Sequence, residues 1–176
     1  MATDNLTLTA GGSLIDAELK QNYCGEAYCP TPEAPYGSPL PVTPKFKGEL
    51  SARYTFNIAD FKAFVEAAGV YVGARWADLR SAEYSDSTSA AGVVTATYTG
   101  NPRAILGREA AYELINLSTG LERGAFHYSL YINNVFDKRG ELDRFAECDA
   151  VKCGLASSYI VPTQPRTIGI RFGQKL

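Results

Sequence analysis

"KFKGELSARYTF", Lys45 to Phe56, alternates almost without fault. Phe46, Gly48, Leu50, Ala52, Tyr54 and Phe56 point one way; Lys45, Lys47, Glu49, Ser51, Arg53 and Thr55 point the other. A period of two over these twelve residues predicts a β-strand with one apolar and one polar face.

The same rule extends in both directions. "NLTLTAGGSL" puts Leu6, Leu8, Ala10, Gly12 and Leu14 on one face, with Thr7, Thr9, Gly11 and Ser13 behind them. "AFHYSLYINNV" separates Phe126, Tyr128, Leu130 and Ile132 from His127, Ser129, Tyr131 and Asn133. "RTIGIRFGQKL" separates Ile168, Ile170, Phe172 and Leu176 from Thr167, Gly169, Arg171, Gly173 and Lys175. "AAYELINLSTGL" reads as a strand from about Tyr112 to Leu121. "FKAFVEAAGVYVGARW", Phe61 to Trp76, is two-sided: Phe61, Phe64, Val65, Ala68 and Val72 also make a helical stripe. Gly69, Gly73 and the "VYV" triple favour a strand.

The expected fold is therefore all-β, an antiparallel meander of about six long strands. Its connections alternate in length. Long ones run over Lys20–Thr43, Asp78–Glu109 and Phe136–Pro165; short ones are "NIAD" (Asn57–Asp60) and "ERG" (Glu122–Gly124). The long ones hold most of the Pro, all the Cys and the stretch "SAEYSDSTSAAG". Soluble strands average about 5–6 residues. A tilted strand needs ~9–11 to cross a bilayer, and these approach that length. Short turns at one end and long loops at the other are the habit of outer-membrane barrels. Aromatic residues near strand ends (Tyr54, Phe56, Trp76, Tyr112 and Phe126) would form interfacial girdles. A soluble all-β domain with long loops is the competing reading. In lipid every backbone polar group must be paired, so a barrel closes and its last strand seals it.

Bulk composition narrows the function. The 176 residues suffice for one sizeable domain, and 17 Lys+Arg against 19 Asp+Glu indicate no general affinity for nucleic acid. Tyr (11) and Gly (16), with Thr, Val and Ile, make a β composition. No apolar run reaches the ~18 residues of a membrane helix. "MATDNLTLTAGGS" lacks the basic segment and apolar core of a secretory signal.

Three segments carry a resemblance. "INNVFDKRG" (Ile132–Gly140) resembles the segment that closes the penultimate strand of TonB-dependent receptors. "PRTIGIRFGQKL" resembles their last strand, and "LPVTPKFKGELSARYTF" (Leu40–Phe56) their Pro-x-x-Pro lead into a barrel strand. The likeness covers essentially the whole chain. It implies the C-terminal section of a barrel of about 22 strands with a plugged lumen, in the bacterial outer membrane. It further implies active uptake of a scarce extracellular ligand, such as a siderophore, cobalamin or oligosaccharide. No enzymatic activity and no cofactor are implied. The implied partners are outer-membrane lipid, the barrel assembly machinery and an inner-membrane energising complex that acts through the plug. Residues 1–176 are expected to be barrel only, without plug or signal peptide. Leu176 departs from the aromatic terminus that helps the assembly machinery recognise the last strand.

Candidate site residues follow. "CGEAYC" and "CDAVKC" suggest disulfides in the outer loops; the spacing favours Cys24–Cys29 and Cys148–Cys153, although four Cys allow three connectivities. Metal is not expected: C-x₄-C is not a standard zinc spacing, and the one His, His127, lies apart on a strand. Lys45, Lys47, Glu49, Arg53, Arg171 and Lys175 would face the lumen, where Arg53 or Arg171 would meet an anionic substrate; Glu66 and Arg75 are weaker candidates. Tyr28, Tyr36, Tyr84, Tyr98, Arg144 and Tyr159, with Tyr23 and Phe145, are loop residues suited to contact a ligand. His127 and Ser129 share a strand face, which suggests an alternative, a barrel hydrolase with a Ser nucleophile. Asn5-Leu-Thr7 and Asn116-Leu-Ser118 match glycosylation acceptors but fall on predicted strands.

Overall fold

A computed structural model describes residues 4–24, 32–81, 84–86, 89–90, 93–94, 98–100, 103, 106–146 and 158–175. Six strands form one antiparallel sheet: β1 (Leu6–Leu14), β2 (Phe46–Ile58), β3 (Phe61–Val72), β10 (Tyr112–Arg123), β11 (Phe126–Asn133) and β14 (Thr167–Gln174), in that spatial order. Each strand pairs with its neighbour in the meander. The two-sided segment after Phe61 is a strand. It breaks at Gly73, where a Cβ would stand 2.9 Å from the Phe46 carbonyl oxygen.

The long connections also contain short paired strands. The second holds β4 (Arg75–Trp76) paired with β9 (Arg108–Glu109), β5 (Tyr84–Asp86) with β8 (Tyr98–Gly100), and β6 (Ser89–Ala90) with β7 (Val93–Val94). The third holds the hairpin β12 (Glu141–Ala146) with β13 (Ser158–Pro162). The first doubles back through the bridges Glu18↔Pro39 and Tyr23↔Ala34.

The short turns are Ala59–Asp60 and Gly124–Ala125. The second lies slightly later than expected, because β10 continues to Arg123, which pairs with Phe126. The first residue of each turn has positive φ, 50° at Ala59 and 58° at Gly124. This is the habit of the primed hairpin turns whose twist matches that of the strands.

Register fixes which residues share a face. Ala10, Leu50, Gly69, Ile115 lie across β1, β2, β3 and β10, and Leu117, Ile132, Ile168 across β10, β11 and β14. This apolar face is uncovered by the described residues: Leu50 is 61 %, Ile168 71 % and Ile170 78 % exposed. It is also dished, with Leu6 at one edge and Ile168 at the other lining a single groove of about 610 Å³. Among the described residues, most buried side chains (Ala34, Ser38, Pro44, Arg75, Ala77, Leu106, Glu109, Tyr112, Asn134 and Thr163) gather instead at the loop end; within the sheet Ala63 and Gly120 are buried. No helix among the described residues is long and apolar enough to cross a membrane, which says nothing of strands.

Candidate functional site: the polar face and the loop end

On the polar face, missing side chains make room for rings. Gly120, Gly169 and Gly173 sit directly across from Phe64, Tyr131 and His127. A Cβ at any of the three would stand within about 2.5 Å of the facing ring. The rings therefore lie flat across the neighbouring strand, the arrangement by which an aromatic compensates a strand glycine. This accounts for the Gly/apolar alternation of the last strand.

Arg53 lies on this face, but its charge is met. Its guanidinium reaches Glu66 at 3.0 Å and stacks over the Phe64 ring at 3.6 Å. Arg171 lies 5.2 Å from the Tyr131 ring and has no carboxylate partner among the described residues. Of the two arginines expected to meet an anion, Arg171 is the one with a free charge. His127 and Ser129 share the face, with no hydrogen bond joining them.

The apolar face orders its aromatics by height. Phe46 and Tyr71 meet at the loop end, their rings 5.9 Å apart. Tyr54, Phe56, Phe126, Tyr128 and Phe172 form the rim at the turn end, with ring separations of 5.1–6.2 Å. Between the rims this face carries no ionisable side chain; Glu113 and Arg123 sit at its ends. Thr119 is a hydroxyl there, and it donates to the Phe64 carbonyl at 2.8 Å. Two of the expected girdle residues belong elsewhere. Tyr112 is buried on the other face, against Gly140, because it pairs with Val72. Trp76 stands beyond the sheet under the Arg103 guanidinium, 4.1 Å away.

At the loop end the three long connections brace one another. The Val42 and Ser81 amides donate to the Trp76 and Glu33 carbonyls, joining the first connection to the second. Arg75 and Glu109 join the second to the third. Arg75 Nη2 donates to the carbonyls of Glu141 (2.6 Å) and Leu142 (2.9 Å), and its Nε meets Glu109 at 2.6 Å, with the two side chains 3 % and 0 % exposed. Burial pushes the Glu109 carboxyl above the usual range, against the pull of Arg75. Arg144, expected to contact a ligand, is a brace as well: it binds Glu141 at 2.6 Å and the Leu106 carbonyl at 3.0 Å.

The "NNVFDK" segment is a knot between two strands. Asn134 is buried with φ 52°, and its amide NH₂ donates to the Lys138 and Gln164 carbonyls. Its Oδ1 accepts from the Lys138 N–H, while its own N–H donates to Asn116 Oδ1. Asp137 Oδ1 accepts the Arg166 N–H, which holds its carboxyl below the usual range; Arg139 adds to this. The exit of β11 is thereby tied to the entry of β14. Asn116, read as a glycosylation match, serves this knot.

Tyr36 and Tyr159 are exposed on the loops, and the Tyr159 ring lies 5.2 Å from that of Phe145. Tyr84 and Tyr98 begin β5 and β8, but their side chains, like Tyr28, lie outside the described residues. Cys24 is disulfide-bonded, and Cys29, Cys148 and Cys153 lie outside the described residues. Among the described residues no cluster of His, Cys, Asp or Glu is gathered that would hold a metal ion. Sequence reasoning missed the Arg75–Glu109 pair, whose members are 34 positions apart. It also missed the glycine–ring pairs, whose signal was present: glycines on the polar face of one strand opposite rings on the next. No protein family, curated protein or solved structure matches this chain.

Proposed function

We propose that this chain is the C-terminal section of an outer-membrane β-barrel receptor that takes up a scarce ligand with energy supplied from the inner membrane. One observation carries the membrane reading: an uncovered apolar face, free of ionisable groups between two aromatic rims, backed by a face that carries the charges. Phe46 and Phe56 are ten residues apart on β2. At about 3.3 Å per residue and a tilt near 40°, that separation covers about 25 Å, the height of a barrel's apolar band. Thr119 satisfies its hydroxyl internally, as lipid demands. Receptor function rests on the resemblance of Ile132–Gly140 and of the last strand to TonB-dependent receptors. In this reading the free edges of β1 and β14 pair with the remaining strands of the barrel, and the braced loops face the outside.

The groove of about 610 Å³ on the apolar face favours a second reading, a soluble β module holding an apolar ligand. One experiment separates the two. An antibody against the "RFGQKL" end is used on membrane extracts, with and without boiling. A membrane-bound species several times heavier than 19.0 kDa that shifts on boiling fits the receptor. A 19.0 kDa species that stays in solution without detergent sinks it.

A further inference from the structure

A recess of about 210 Å³ opens on the polar face where β3, β10, β11 and β14 run side by side; Glu66, Asn116, Ser118, Tyr131, Asn133 and Arg171 line it. Its chemistry is one-sided. The one carboxylate, Glu66, is already engaged by Arg53 at 3.0 Å. Asn116 Oδ1 is occupied by the Asn134 N–H, which fixes the amide and leaves its NH₂ as a donor. Gly169 has no Cβ to obstruct the Tyr131 phenol, so the phenol lies across β14, the strand that carries Arg171. Arg171 itself is exposed and has no carboxylate partner among the described residues. A guanidinium without a carboxylate partner among the described residues thus faces neutral polar groups, and the one carboxylate lining the recess is already paired.

We infer that the recess binds a carboxylate group, held by the Arg171 fork and flanked by the Tyr131 hydroxyl and the Asn116 amide. The planar guanidinium matches a carboxylate with two parallel hydrogen bonds, which a lysine does not offer. The recess takes one such group, the acidic arm of a larger ligand. It lies on the polar face in any environment; only its description as lumenal rests on the receptor reading above.

The test follows the Arg171 Nε–H resonance of the whole chain in detergent micelles, with succinate as probe and succinamide as its neutral isostere. Succinate shifts the resonance saturably, and succinamide binds about tenfold more weakly. Read at the Gly169 backbone amide, which every variant keeps, Arg171→Gln lowers succinate affinity about tenfold, and Tyr131→Phe about threefold. Lys175→Gln, which removes a cation just past the turn end of β14, changes it by less than about twofold. The inference is overturned if Lys175→Gln weakens binding as much as Arg171→Gln, if succinamide binds equally, or if succinate produces no saturable shift. The strand amides of the same spectrum report folding; should Arg171→Gln not fold, Tyr131→Phe decides. A sheet that forms in plain buffer and still binds succinate would end the membrane reading and leave this one standing.

Discussion

The loop end and the middle of the sheet solve the problem of burial in opposite ways. The loop end has its own interior, with Ala34, Pro44, Ala77, Leu106 and Tyr112 buried there and a closed Arg75–Glu109 pair. The middle of the sheet has no interior: its apolar side chains stand on one face with nothing among the described residues over them. A contiguous apolar patch wider than a few hundred Å² marks an interaction surface in a soluble protein. The two parts therefore draw their stability from different sources. The described loop residues bury one another, whereas the sheet depends on whatever covers it.

The comparison breaks most readily at the buried pair. Glu109→Leu leaves Arg75 charged and uncompensated in a closed site, and costs about 3–5 kcal/mol. The double change with Arg75→Met recovers most of that cost. Denaturant unfolding followed by Trp76 fluorescence reads both, since Trp76 adjoins Arg75 and is the one Trp of the chain. A double variant as unstable as the single one would mean that the carbonyl contacts of Arg75, not its ion pair, hold the loops.

The sheet side is sharpened by Leu50→Arg, at mid-height on the apolar face. In a bilayer it costs about 2–4 kcal/mol, read as loss of folded protein in vesicles. The neighbouring Ser51→Arg, on the polar face, is expected to be nearly neutral. Equal tolerance of both would show that the apolar face does not meet lipid.

Next in size is Asn134→Ala, which removes three hydrogen bonds of a buried amide and places alanine at positive φ. It costs about 2–3 kcal/mol. Asn134→Gly keeps the backbone freedom and loses only the bonds, so a smaller loss on thermal melting measures the backbone share. At the turn end the effects are smaller. Ala59→Gly relieves a left-handed alanine and gains up to about 1 kcal/mol, while Gly124→Ala costs about as much. Gains or losses of several kcal/mol there would mean that the turns, and not the loops, organise the sheet.

The last prediction concerns pH at the knot. The folded state holds the Asp137 carboxyl low, chiefly through the Arg166 N–H, so its contribution is present above the ordinary carboxylate range and is lost as pH falls through the folded value. Exchange of the Arg166 amide, corrected for its intrinsic pH dependence, accelerates as pH falls through that lowered folded value, and Asp137→Asn removes that dependence. Glu109 works in the other direction, because burial raises it. A local amide is therefore the proper readout, not global melting.

Much of the architecture was legible in the chain. An alternation of period two is a local property, so the facing of Leu50 against Ser51, or of Ile170 against Arg171, follows from neighbouring residues alone. So did the six long strands and the order of short and long connections. The segment after Phe61 was two-sided because its apolar residues fit both periods, and only pairing with β2 and β10 made it a strand. The site was less legible. Sequence placed Arg53 and Arg171 on one face, but the cross-strand partner Glu66 decided which of them is free.

The strands and their faces are local, fixed by side-chain period, and the alternation of short and long connections sets the end at which the loops gather. Which residues meet across the sheet and above it depends on the folded chain. Tyr131 over Gly169, Arg75 against Glu109 and Asn134 against Gln164 join positions between 30 and 38 residues apart. Their pairing is set by register and loop closure, and no local pattern encodes either.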